Sequence, residues 1–103
     1  MDDLFLILSD MIPHGRNNAI SSNELSDSLG VGILQLNQMI RSMILNGVLI
    51  VHSLDGYYYP TNEDYSETWK FYSSIKDDSI YQALKKPIRE YFLKIEKEVS
   101  HGY

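Results

Sequence analysis

Two sets of side chains in this chain could do chemistry on a polar or anionic ligand, and they lie far apart. The first is Asn37, Gln38 and Arg41, two amides and a guanidinium spaced to share one outward helix face. The second is Lys85-Lys86 with Arg89, the only basic cluster. It could hold phosphate, or stand as a solvated face balanced by Glu90 and Glu96. Catalysis has little to work with. His14, His52 and His101 are isolated, with no His-x-x-x-His spacing and no paired carboxylates, so neither a metal nor a cofactor is expected. The chain has no cysteine, which excludes disulfides and thiolate metal sites. Gly30-Val31-Gly32 enters a helix from another helix rather than from a strand, unlike a phosphate-binding loop. The expectation is a binding protein, not an enzyme.

The elements that must position these groups follow from hydrophobic spacing. Leu4, Leu8 and Met11, with Phe5 and Ile12, predict a first helix over Asp2 to Ile12, with Asp2 and Asp3 at its positive end. Asp2 and Asp3 stand where a signal peptide needs positive charge, and no apolar run approaches the length of a membrane span; a cytoplasmic location is the default. Pro13-His14-Gly15 ends the helix, Arg16-Asn17-Asn18 is a polar loop, and Ala19-Ile20 is a strand stub.

Ser21-x-x-Glu24 is a capping box that opens a second helix, with Leu25 and Leu29 buried and Gly30 as its left-handed stop. Ser26 is small where two helices must approach closely. A third helix runs from about Gly32 to Asn46, with Leu36, Ile40 and Met43 inward and Ile33, Leu34, Asn37, Gln38 and Arg41 outward. Val48 to His52 reads as a strand, Asp55-Gly56 as a hairpin turn, and Tyr57 to Tyr59 as the return strand.

Thr61-x-x-Asp64 opens a further helix, and Asp77-Asp78-Ser79 marks a recap. Ile80, Leu84, Ile88, Tyr91, Ile95 and Val99 then form a long stripe that Pro87 must kink or divide. Lys86, Glu90, Lys94 and Glu98 alternate in sign along a solvated face laced by weak ion pairs. The aromatics Tyr57 to Tyr59, Tyr65, Trp69, Phe71 and Tyr72 lack interleaved basic residues, so they read as core sealing the hairpin against the C-terminal helix. The expected class is mainly α with a small β-hairpin. Residues 1–62 hold the helices and hairpin, and residues 63–103 form a helical extension.

Taken together, Glu24-Leu25-Ser26, Leu29-Gly30-Val31, Leu36, Ile40, Met43 and Gly47 resemble the winged helix-turn-helix superfamily. The following Leu54-Asp55-Gly56-Tyr57-Tyr58-Tyr59 and Asn62-Glu63-Asp64 resemble small winged-helix proteins of bacteriophages and Gram-positive mobile elements. The resemblance covers roughly residues 1–80. It implies duplex DNA as partner, with helix 33–46 in the major groove and the hairpin on the backbone. Carried over by position, the nucleic-acid-binding residues are Gly32, Ile33, Leu34, Gln35, Asn37, Gln38 and Arg41, with Arg16, Lys85, Lys86 and Arg89 as accessory cations. Asn37 and Gln38 suit adenine and Arg41 suits guanine. Gly32 departs from the pattern, which usually has a capping serine or threonine there, and Ile33 and Leu34 put apolar groups where polar ones are usual.

Charge points to an alternative. Residues 1–62 carry two basic and six acidic side chains, and residues 63–103 carry seven and eight. An acidic winged-helix module could instead grip a basic host protein, a DNA-binding protein or nuclease, with Ile33 and Leu34 as an apolar contact unless they pack under the hairpin or on the first helix. On either reading a homodimer is expected. Ile88, Tyr91, Phe92 and Ile95 exceed what one small domain readily covers.

Overall fold

The computed structural model describes residues 3–100, with seven regular elements in chain order. The expectations placed on Asp2, on His101 and on the side chain of Val99 lie outside the described residues. Three helices come first: α1 (Asp3–Met11), α2 (Ser22–Leu29) and α3 (Ile33–Leu45). A hairpin of β1 (Val51–Ser53) and β2 (Gly56–Tyr58) follows, then α4 (Tyr65–Ser74) and α5 (Asp78–Ser100). The molecule is mainly helical with one two-stranded antiparallel sheet. No described helix is long and apolar enough to cross a membrane.

Local signals set the helix ends. Ser21 caps α2 by accepting the Glu24 amide, and the Ser21 hydroxyl lies 3.5 Å from the Glu24 carboxylate. Gly30 stops α2 in the left-handed region (φ 69°), where a side chain would be strained. Its amide and that of Val31 return to the last turn of α2, and the Ser26 hydroxyl donates to the Val31 carbonyl. The small Ser26 therefore ties down the α2–α3 turn as well as permitting close packing. Asp77 caps α5, its Oδ1 accepting the amides of Ser79 (3.0 Å) and Ile80 (3.3 Å).

One core unites both halves of the chain. Leu8, Ile12, Leu25, Leu36, Ile40, Met43 and Ile50 pack with Leu84 and Ile88 of α5 in one cluster. The extension after residue 62 is thus part of the same body. Pro87 neither breaks nor divides α5, which runs through it as one helix. An interior proline costs about 3 kcal/mol; here the buried Leu84 and Ile88 hold the helix to the core on either side of it.

The hairpin departs from expectation in register. Strand β1 begins at Val51, not Val48, because the Val48 amide bonds back to the Met43 carbonyl and caps the end of α3. Ser53 pairs with Gly56, so Leu54-Asp55 form the turn and Gly56 lies in the strand. There Gly56, at φ 128°, crosses the backbone of Ile20. The Ala19-Ile20 stub pairs as expected: Ile20 and Tyr57 exchange both backbone hydrogen bonds, at 3.1 and 2.8 Å.

Thr61-x-x-Asp64 forms a capping box around a 3₁₀ turn before α4. The buried Asp64 carboxylate accepts the Thr61 amide (2.9 Å), the Thr61 hydroxyl (3.1 Å) and the Arg16 amide (3.3 Å). It stitches the loop after α1 to the start of α4.

Candidate nucleic-acid interface

The α2–turn–α3 unit buries Leu36, Met39, Ile40, Met43 and Ile44 and turns the other side of α3 to solvent. Leu34 is 73% exposed and Ile33 40%, so neither is packed under the hairpin or on α1. Gln35 and Gln38 are exposed beside them. Gly32 caps α3 with extended backbone and no side-chain contact, as its residue type requires.

Two of the expected reading residues are already engaged within the chain. The Asn37 carbonyl oxygen accepts the Tyr57 hydroxyl at 3.4 Å, tying α3 to the hairpin. Arg41 Nη1 donates to Asp77 Oδ2 at 2.6 Å. That hydrogen bond, with the amides of α5 and the guanidinium charge, holds the Asp77 carboxyl below the usual carboxylate range. One aspartate therefore starts α5 and occupies the only arginine of α3.

The accessory cations differ in how they are engaged. Arg16 reaches Asp55 (3.7 Å) at the hairpin turn and Glu67 (3.6 Å) on α4, and Lys70 also meets Glu67. Lys85 stands over the Tyr81 ring, 5.6 Å from its centre. Lys86 and Arg89 are exposed on α5 and make no ion pair among the described residues. The lacing expected along Lys86, Glu90, Lys94 and Glu98 is absent among the described residues; Glu98 instead accepts the Asn62 side-chain amide. Residues four apart on an exposed helix gain too little to fix one rotamer pair.

Between α3, the hairpin and the α4–α5 junction lies an open groove of about 390 Å³, lined by Asn37, Ile40, Arg41, His52, Tyr57 and Ile75 among others. His52 stacks on Tyr57 (4.2 Å between ring centres, 14° between planes). Partial desolvation where the ring lies against Tyr57 lowers its pKa from 6.5, although the residue keeps an exposed side. Sign follows from linkage: the folded state holds the proton less tightly, so His52 contributes stability above pH 6.5 that is lost as pH falls through the folded value. Between neutral pH and about pH 5, the melting midpoint should therefore drop further for the parent protein than for His52→Gln. Equal drops would mean that the ring is not desolvated.

The aromatic set divides. Tyr57 and Tyr58 are buried within the hairpin, but Tyr65 and Trp69 of α4 are about half exposed, resting edge-on against Phe92 of α5 (4.7 and 5.4 Å). These rings do not seal the hairpin, because Phe71 and the buried Thr68 take the inner side of α4.

Of the residues expected at a dimer surface, Ile88 is corrected: it is 3% exposed and belongs to its own subunit's core. Tyr91 is half-buried, and its hydroxyl donates to the Thr61 carbonyl at 2.5 Å. Periodicity located the apolar face of α5 but could not say that the chain's own core covers it. No protein-family model, curated protein or solved structure matches the chain.

Proposed function

We propose that the chain is a winged helix-turn-helix protein of phage or mobile-element type. On this reading it binds duplex DNA without catalysis, as a transcriptional or replication regulator in the cytoplasm. The observation that carries the proposal is the α3 face: a solvent-exposed row of Leu34, Gln35 and Gln38 following a glycine-stopped turn, with a hairpin bridged to Ile20 beside it. A helix displayed this way can enter a major groove while the hairpin approaches the backbone. Gln35 and Gln38 offer amides to adenine, and Leu34 offers an apolar contact to a thymine methyl.

Because Arg41 is shared with Asp77, DNA must compete for it. An exposed ion pair is weak, so releasing Arg41 should tighten DNA binding by no more than about fivefold. Asp77→Ser keeps a capping hydroxyl and should produce that gain at low salt. Arg41→Ala should weaken binding, and Asp77→Ser should then add nothing. Fluorescence anisotropy with random duplex over a salt series measures both. Unchanged affinity in Arg41→Ala would remove arginine from the reading face. No duplex binding even at low salt would overturn the DNA reading.

A second reading is favoured by the ion pairs themselves. Arg16 and Arg41, the only cations of residues 1–62, both face carboxylates, while Ile33 and Leu34 stand exposed. An acidic surface with an apolar centre suits a basic protein partner. The two readings separate on heparin: the first gives salt-sensitive retention, the second none.

A further inference from the structure

The outer face of α5 carries a pattern that is complementary to itself. Arg89, Phe92, Leu93 and Glu96 fall within about 100° of one another around the helix, with Leu93 opposite Leu84 and Phe92 at the edge, where it also packs against the core. Arg89 precedes Phe92 by three residues, and Glu96 follows Leu93 by three. Leu93 is 48% exposed, and Trp69 beside Phe92 is 54% exposed. Neither Arg89 nor Glu96 has an ion-pair partner among the described residues.

We infer that this face binds a second copy of the chain, with the two α5 helices antiparallel about a two-fold axis between Phe92 and Leu93. Antiparallel pairing about that point sets Phe92 against Leu93 of the second copy. It also sets Arg89 against Glu96 of the second copy, and symmetry forms that ion pair twice. Parallel pairing would oppose Arg89 to Arg89 and Glu96 to Glu96, which is repulsive. The charge order therefore selects both the partner and its direction. A stable interface needs about 800 Å² from each partner, more than one helix face supplies, so the exposed Tyr65 and Trp69 of α4 complete it. This surface replaces the one expected from periodicity, keeping Phe92 and dropping Ile88. It lies on the exposed flank of α5, with Phe92 at its border with the core, and serves either functional reading.

Trp69 is the only tryptophan, so its emission reports this face directly. Sedimentation velocity over a wide concentration range should show a monomer–dimer equilibrium, with Trp69 emission moving to shorter wavelength as dimer forms. Arg89→Glu and Glu96→Arg should each weaken association by about tenfold or more, because each places like charges opposite one another twice. The double variant exchanges the pair and should return to within about threefold of the parent. Far-UV circular dichroism of the variants should be unchanged, since both side chains are exposed. A monomer at every concentration would overturn the inference and leave the face to a different protein. So would single variants that dimerise like the parent, or a double variant that fails to recover.

Discussion

Gly56→Ala should cost a large part of the stability of the domain. A Cβ at this position would overlap the carbonyl of Ile20 and stand 2.9 Å from the Ser21 nitrogen. All of these are backbone atoms, so no side chain can swing aside. The backbone at φ 128° adds strain for any L-residue. Relief requires the hairpin to move off Ile20, breaking both hydrogen bonds to Tyr57 and lifting Tyr58 from the core. We expect a loss on the order of 4 kcal/mol, against about 5–15 kcal/mol for a typical domain. Urea denaturation followed by circular dichroism measures it. A loss below about 1 kcal/mol would mean that the strand slides freely past Ile20.

The second large effect is expected from Leu84→Ala. Leu84 is wholly buried where α5 packs on α3, beside Ile88. Truncating such a leucine removes transfer free energy and leaves a cavity, together about 2–5 kcal/mol. The upper part of that range is expected, because Leu84 and Ile88 must also hold α5 together around Pro87. Leu93→Ala makes the same chemical change nine residues further along the same helix, on its exposed side. At concentrations where the chain is monomeric, it should shift stability by no more than about 0.5 kcal/mol. Equal losses for the two variants would contradict the placement of α5.

Features written in neighbouring residues were legible in the sequence. The Ser21 cap, the Gly30 stop, the α5 start at Asp77 and the spacing of Leu36, Ile40 and Met43 each depend on side chains within a turn or two. Features closed by distant chain were not. Gly56 looked like a turn residue because Asp-Gly is a common turn pair; only the approach of Ile20 reveals it as a crossing point. Arg41 looked available because its partner lies thirty-six positions away, and charge patterning along one helix carries no trace of Asp77. Leu34 shows the reverse failure: an apolar residue on an outward face invites burial, yet no element arrives to cover it. The outward face of α3 was thus legible along the chain, while its ion pairs were set by tertiary contacts.

The bridge between Ile20 and Tyr57 also has a kinetic meaning. It joins the ends of a segment that contains all of α2 and α3, so it cannot form until that segment has been brought back on itself. Helices form from local contacts in about a microsecond, whereas distant pairings wait on the entropy of loop closure. The bridge is therefore expected to form late, after α2 and α3 have docked. Weakening it should hasten unfolding while leaving the folding rate nearly unchanged. The hairpin then behaves as a clasp, setting how long the folded molecule lasts rather than how quickly it is made.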